Sequence, residues 1–206
     1  MTTTTAKTTA AKTTTATTTA PKTTTEPVPA PAVRIDLDDA VPAYLKAMTH
    51  LDHAATRELD RAGIDHRLRE LVRVRASQLN GCAYCIDLHT RDARAAGETE
   101  QRLYALPAWR ETAYFTARER AALQFTEQVT RLADTHVPDQ AYADLVSAFS
   151  PAEAAALVCL VVTINAWNGL GVATRSWTPT PTPDLSSDST STSDSTSDLN
   201  PTREQR

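Results

Sequence analysis

Apolar residues recur at three- and four-residue intervals through the middle of this chain, and nowhere alternate over a length that would make a hairpin. Leu68, Leu71, Val72 and Leu79 mark an amphipathic helix, stopped by Asn80-Gly81, two residues that tolerate the left-handed conformation closing helices. The spacing predicts a second helix from Cys82 through Cys85, Ile86, Leu88 and His89 to Ala96, halted by Gly97. Upstream, Asp36 to Asp39 with Pro42 make a helix start, with Tyr44, Leu45, Met48, Leu51 and Ala55 as its apolar positions and an end near Gly63. Asp65 caps the helix that carries Glu70.

Downstream, Thr99 caps a short turn through Leu103 and Leu106, halted by Pro107, and Trp109, Tyr114 and Phe115 read as a packed connection. Thr116 to Glu119 is a capping box opening a helix through Leu123, Phe125, Val129 and Leu132. Pro138 starts another, with Tyr142, Leu145 and Val146 facing in. Ser150-Pro-Ala-Glu153 joins a capping box to a proline at the first helical position. The run Leu157 to Ile164 taken alone reads as a buried strand. The cap, the alanines ahead of it and the length up to about Thr174 instead favour a helix buried on most sides. The pattern predicts an all-α domain of six or seven helices.

Composition narrows where that domain lies. Residues 1–32 are mostly Thr, Ala, Lys and Pro, and 178–206 mostly Ser, Thr, Asp and Pro. Eight of the twelve prolines fall in these ends, and neither end has apolar surface to offset the entropy of ordering. Both are expected to be disordered, leaving 33–177 as one domain of ordinary size. The formal net charge of −4 leaves about −3 on that domain, which argues against nucleic acid as the main partner. No unbroken run of eighteen apolar residues occurs, so no membrane span is expected. The Thr-rich leader has no apolar signal region, no Arg and no amphipathic pattern, and a cytoplasmic location is expected. Three cysteines, two of them in one C-x-x-C, do not make a secreted disulfide framework.

That C-x-x-C is the chemistry-bearing feature. On one helix Cys82, Cys85 and His89 stand at i, i+3 and i+7 and share a face. A thiol in a first helical turn feels the positive end of the dipole, and an imidazole beside it can take the proton. This is the arrangement of a redox dithiol. Other readings stand beside it. The pair also reads as half of a zinc site, though Cys159 lies in an apolar helix with no ligand at useful spacing. A thioredoxin-like fold would need a βαβ pattern around the motif. Glu70, between Arg69 and Arg73, also reads as an ion pair in water, and His89 as a surface histidine. Ser77 and Tyr84 read equally as site-lining or structural. Cys159 reads as a small core residue, and Asn165 and Asn168 as hydrogen-bonding groups in a mostly buried helix.

The combination E-x(11)-C-x-x-C-x(3)-H between two helices resembles the AhpD-like alkylhydroperoxidases of the carboxymuconolactone decarboxylase family. The longer string RASQLNGCAYCIDLHTRDARAAGETEQRL, the Trp109 region and NAWN at 165–168 are similar to a peroxidase-related branch, across most of 33–177. The resemblance implies that Glu70, Cys82, Cys85 and His89 are catalytic. It implies a homo-oligomer, trimer or hexamer, whose dithiol reduces hydroperoxides or recycles a peroxiredoxin. Cys85 would attack the peroxide, Cys82 would resolve the sulfenic acid to a disulfide, and Glu70 would orient His89. No metal or organic cofactor is called for, and electrons would come from an external lipoyl or thioredoxin-like dithiol. Tyr84 departs from the branch that has a histidine just before the second cysteine. A decarboxylase-type lyase, which does not depend on a C-x-x-C, and a non-enzymatic thiol sensor are the rival readings.

Overall fold

Most helices in this chain begin where a side-chain oxygen or a proline takes care of backbone N–H groups that lack an intrahelical acceptor. The computed structural model describes residue 1 and residues 29–179. The two ends expected to be disordered lie outside the described residues, apart from residues 1, 29–32 and 178–179, which are exposed and irregular. Nine α-helices occur among the described residues: α1 Leu37–Ala40, α2 Pro42–Ala62, α3 His66–Asn80, α4 Ala83–Ala95, α5 Glu100–Ala105, α6 Ala117–Thr130, α7 Leu132–Thr135, α8 Asp139–Ala148 and α9 Pro151–Thr174. A 3₁₀ segment, Leu106–Glu111, links α5 to α6, and no strand occurs among the described residues. The all-α reading holds, and seven of these helices are six residues or longer.

The caps follow the sequence closely. Asp65 accepts from the Arg67 N–H at 2.9 Å, and both capping boxes, Thr116 with Glu119 and Ser150 with Glu153, are formed. One start differs from expectation. The Asp36 cap opens only the four residues of α1, and α2 starts afresh at Pro42. Val41 between them is not helical (φ −142°, ψ 53°), because a residue preceding proline is pushed out of the α region.

α3 is the centre of the domain, packed against α4, α6 and α9, and α2 lies along α9. Two hydrophobic clusters meet on it. Leu68 and Val72 join Leu59, Ile64, Phe125, Leu145, Leu157 and Leu160. Leu71 and Val74 join Ala93, Leu103, Leu106, Trp109 and Leu123. The described chain is also fastened at its two ends. Arg34 N–H and Ile35 N–H donate to the Thr174 carbonyl, Ser176 Oγ bridges Leu37 N–H and the Ile35 carbonyl, and Trp177 Nε1–H donates to Asp38.

Several apolar positions expected to face inward do not. On α2, Leu45, Met48, Ala55 and Leu59 are buried, while Tyr44 and Leu51 are about half exposed. On α8, Leu145 is buried, but Tyr142 and Val146 are exposed. Leu132 falls outside α6, on exposed α7, and Tyr114 is exposed beside buried Trp109 and Phe115. Cys159 is exposed rather than in the core, on the outer side of α9 with Val158 and Val162. The reason is common to all. Periodicity finds a helix and the middle of its apolar stripe, but the width that is covered depends on how many neighbours reach it. By length and composition α9 is apolar enough to cross a membrane. Here its apolar side chains Leu157, Leu160, Val161 and Ile164 are buried within the domain.

Burying α3 also buries charge. Arg75 donates from Nε to Glu127 Oε1 at 2.8 Å, and the same oxygen accepts from Trp109 Nε1–H at 2.8 Å. Glu127 Oε2 accepts from Arg110 at 2.6 Å. Burial opposes ionisation of Glu127, but the hydrogen bonds from Trp109, Arg110 and Arg75 outweigh it and hold the carboxyl below its ordinary value. Glu127→Gln would leave Arg75 buried without a counter-charge, and we expect a loss of roughly 3 kcal/mol in urea unfolding at neutral pH. Because the folded-state value is depressed, the stability Glu127 contributes is full above the ordinary carboxylate range and is lost as pH falls through the lowered value. Wild-type stability should therefore decline more steeply than that of Glu127→Gln on acidification below about pH 4.5. Parallel pH profiles of the two proteins would contradict this assignment.

Candidate active site

The site is built where α3 ends and α4 begins. Gly81 takes the left-handed conformation (φ 69°) that closes α3, a backbone position that a side chain would strain. Cys82 follows as the N-cap of α4 in extended backbone, one residue earlier in role than the first-turn position expected. Its Sγ accepts from the Cys85 N–H at 3.4 Å, and its own N–H donates to the Ser77 carbonyl at 3.1 Å. Cys82 and Cys85 are joined as a disulfide, with 5.4 Å between Cα atoms, and both are buried. The pairing needs only this one turn, since a cap residue and the third helical residue bring their side chains together.

His89 stands one helical turn beyond Cys85 on α4, and its ring meets Glu70 from α3. Nδ1 of His89 lies 2.9 Å from Glu70 Oε2, while Glu70 Oε1 accepts from Arg73 at 2.5 Å. Glu70 is buried, 6% exposed, so it is not an ion pair in open water. Burial alone would raise its pKa. The hydrogen bond from His89 and the charge of Arg73 outweigh burial and hold Glu70 below the ordinary carboxylate value. An ionised carboxylate only accepts, so Nδ1 carries a proton toward Glu70 and Nε2 is the ring nitrogen left to face other groups.

Two neighbours complete the group: Arg73, which the sequence offered only as an ion-pair partner of Glu70, and Asp92, which was not singled out from the sequence. Asp92, one turn past His89, has Oδ2 at 3.8 Å from His89 Nδ1. Burial, and after it the charge of Glu70, push the Asp92 carboxyl up. Arg73 also faces Asp52 of α2 at 3.8 Å. The i, i+3 spacings Glu70/Arg73 and His89/Asp92 were the available signal. Glu70, His89 and Asp92 present ligand atoms within 4.8 Å of one another and are the residues able to hold a cation here, though Arg73 already supplies positive charge to Glu70.

The polar residues around the motif have structural partners. Ser77 Oγ donates to the Arg73 carbonyl and accepts from Asn168. Asn80 donates to both Asn165 and Asn168, at 2.8 and 2.9 Å, which ties the end of α3 to α9. Tyr84 packs against Trp177, with ring centroids 6.0 Å apart, and Trp177 meets Trp167 edge-on at 5.9 Å. Cys159 takes no part in the disulfide.

Comparison with known proteins gives the same grouping. Residues 42–128 match the model of the carboxymuconolactone decarboxylase family. The uncharacterized protein YdfG of Bacillus subtilis is 36% identical over 140 residues, covering 68% of this chain and 92% of that protein. The crystal structure of a protein of unknown function from Agrobacterium tumefaciens, described as a putative antioxidant defence protein AhpD, superposes with a TM-score of 0.68. It is 35% identical and covers 73% of this chain and all of that one. An uncharacterized peroxidase-related protein from Silicibacter (TM-score 0.57, 24% identity, 65% of this chain and 69% of that one) shares the fold. With the E-x(11)-C-x-x-C-x(3)-H residues gathered at the junction of α3 and α4, the chain belongs to the carboxymuconolactone decarboxylase family and has the AhpD-like fold.

Proposed function

We propose that this protein is a thiol-dependent peroxidase that reduces hydroperoxides through Cys82 and Cys85, with His89 and Glu70 managing the proton. Family and fold support an enzyme of the peroxidase-related or decarboxylase-like kind. The observation that favours the peroxidase is the buried, bonded Cys82–Cys85 pair on the same helix as a histidine held by a buried carboxylate. A lactone decarboxylase has no use for a closed dithiol.

In the reduced enzyme, Cys85 is the attacking sulfur because His89 lies one turn along its helix, and Nε2 is the nitrogen free to take a proton. The Cys85 thiolate attacks the distal oxygen of ROOH. The O–O bond breaks, the alkoxide takes a proton to leave as ROH, and Cys85 becomes a sulfenic acid. The Cys82 sulfur then displaces hydroxide, which leaves as water on protonation, and the disulfide forms. The sum is ROOH plus two thiols giving ROH, water and one disulfide. An external dithiol, lipoyl or thioredoxin-like, restores the thiols by exchange. Glu70 fixes the ring of His89 through Nδ1 and stabilises the imidazolium. No metal or organic cofactor enters these steps. A cytoplasmic setting, where such dithiols are kept reduced, suits the cycle.

Peroxide consumption with a dithiol donor tests the activity. Cys85→Ser should abolish turnover, and Cys82→Ser should let a sulfenic acid accumulate on Cys85, located by a dimedone-type reagent and mass spectrometry. Label confined to Cys82 would reverse the roles, and no consumption by the wild type would leave the lyase or sensor reading.

Glu70→Gln and His89→Ala should each slow turnover by roughly one to four orders of magnitude and raise the pH at which Cys85 becomes reactive to alkylation. An alkylation profile common to wild type and both variants would exclude the relay.

The protein acts as a homo-oligomer, trimer or hexamer, on this proposal. The exposed Val158 and Val162 of α9, and Tyr44 and Leu51 of α2, are the apolar surface a second copy would cover. Light scattering on 33–177 at micromolar concentration should give a multiple of the monomer mass. A monomer mass there would refute it.

A further inference from the structure

α9 contains two glycines close together, Gly169 and Gly171, in a helix where glycine is the least favourable residue after proline. Their surroundings differ. A Cβ on Gly169 would meet nothing within 4 Å, whereas one on Gly171 would lie 3.2 Å from Cys82 Sγ and 3.8 Å from Cε3 of Trp177. Both glycines are helical, so left-handed backbone does not explain either. At Gly171, the buried one, the missing side chain is filled by the sulfur of Cys82 and backed by the indole. That sulfur has little other freedom. Cys82 is 3% exposed and is held as the N-cap of α4 by the hydrogen bonds on either side of it.

We infer that Gly171 is a positioning residue for the Cys82–Cys85 couple, reserving the room that the Cys82 sulfur needs when the disulfide opens. The inference rests on the dithiol reading above. Reduction breaks the S–S bond and adds two electrons and two protons, one hydrogen to each sulfur. Two separate thiols occupy more space than a bonded pair, and Cys85 is itself buried at 5% exposure. A methyl group on Gly171 crowds Cys82 Sγ and pushes it away from α9. The contact is already 3.2 Å with the disulfide closed, and the open pair needs more room still, so the substitution disfavours the dithiol more and shifts the couple toward the disulfide. Trp177 bounds the same space, and removing its ring has the opposite sign.

The test is a redox titration of the full chain against dithiothreitol and its cyclic disulfide, which exchange two electrons and two protons with the protein. The oxidised fraction is read by acid quench, alkylation and mass spectrometry. Gly171→Ala should shift the equilibrium toward the protein disulfide by roughly five- to thirtyfold, the scale of overpacking in a tight interior. Gly169→Ala should stay within about twofold of wild type, as a substitution into open space. Trp177→Ala should shift it toward the dithiol, and it carries the test if Gly171→Ala does not fold. A wild-type pair that takes no part in exchange would overturn the dithiol reading and this inference with it. A wild type that exchanges while Gly171→Ala, or in its absence Trp177→Ala, follows the same curve would overturn the positioning role alone.

Discussion

Covering α3 on nearly every side is the constraint on which the rest of this domain depends. From Leu68 to Ser77 all but one residue is buried, yet that stretch includes Arg69, Glu70 and Arg75. A buried charge without a partner costs more than the fold can spare, so each must find one inside. Arg69 reaches Asp60 and the Ile64 carbonyl at the α2–α3 turn, Arg75 reaches Glu127 on α6, and Glu70 reaches His89 on α4. The three pairs run to three different neighbours. They fix the rotation of α3 about its axis more tightly than the apolar residues could alone, because leucines tolerate small slips and hydrogen-bonded charges do not.

The candidate active site is one consequence of that rotation. The same helix turn that aims Glu70 at α4 carries Arg73, which secures the other carboxylate oxygen. Further along, Ser77 and Asn80 bind Asn168 and Asn165 of α9. The end of α3 is thereby pinned immediately before Gly81 and Cys82. The dithiol thus stands on a turn held from both sides, with its histidine oriented by a carboxylate that is itself oriented. Reactive groups supported in this way spend little energy on reorganisation during a reaction cycle.

The clasp between the segment at 34–38 and the end of α9 extends the support outward. It places Trp177 against Tyr84 and beside Gly171, so the aromatic side of the site depends on residues far from the motif in sequence. The ring of Tyr84 is used for packing rather than set among the groups around His89.

Much of this was legible in the chain itself. Helix starts were plain because caps are local: Thr116 with Glu119, Ser150 with Glu153, and Asp65 each act within three residues. The C-x-x-C and its histidine were legible because one helix carries all three, and helical spacing alone sets them on one face. What the sequence could not decide was width and partnership. Leu51, Tyr142 and Val146 lie within apolar patterns yet face outward, because exposure depends on which helices pack on which. Cys159 lies within an apolar run and faces out for the same reason. Glu127, Trp109 and Asn80 gained their roles from residues 17 to 88 positions away, and Gly171 from a sulfur across the helix interface. Local rules carry no information about such distances; only the tertiary structure brings those atoms together.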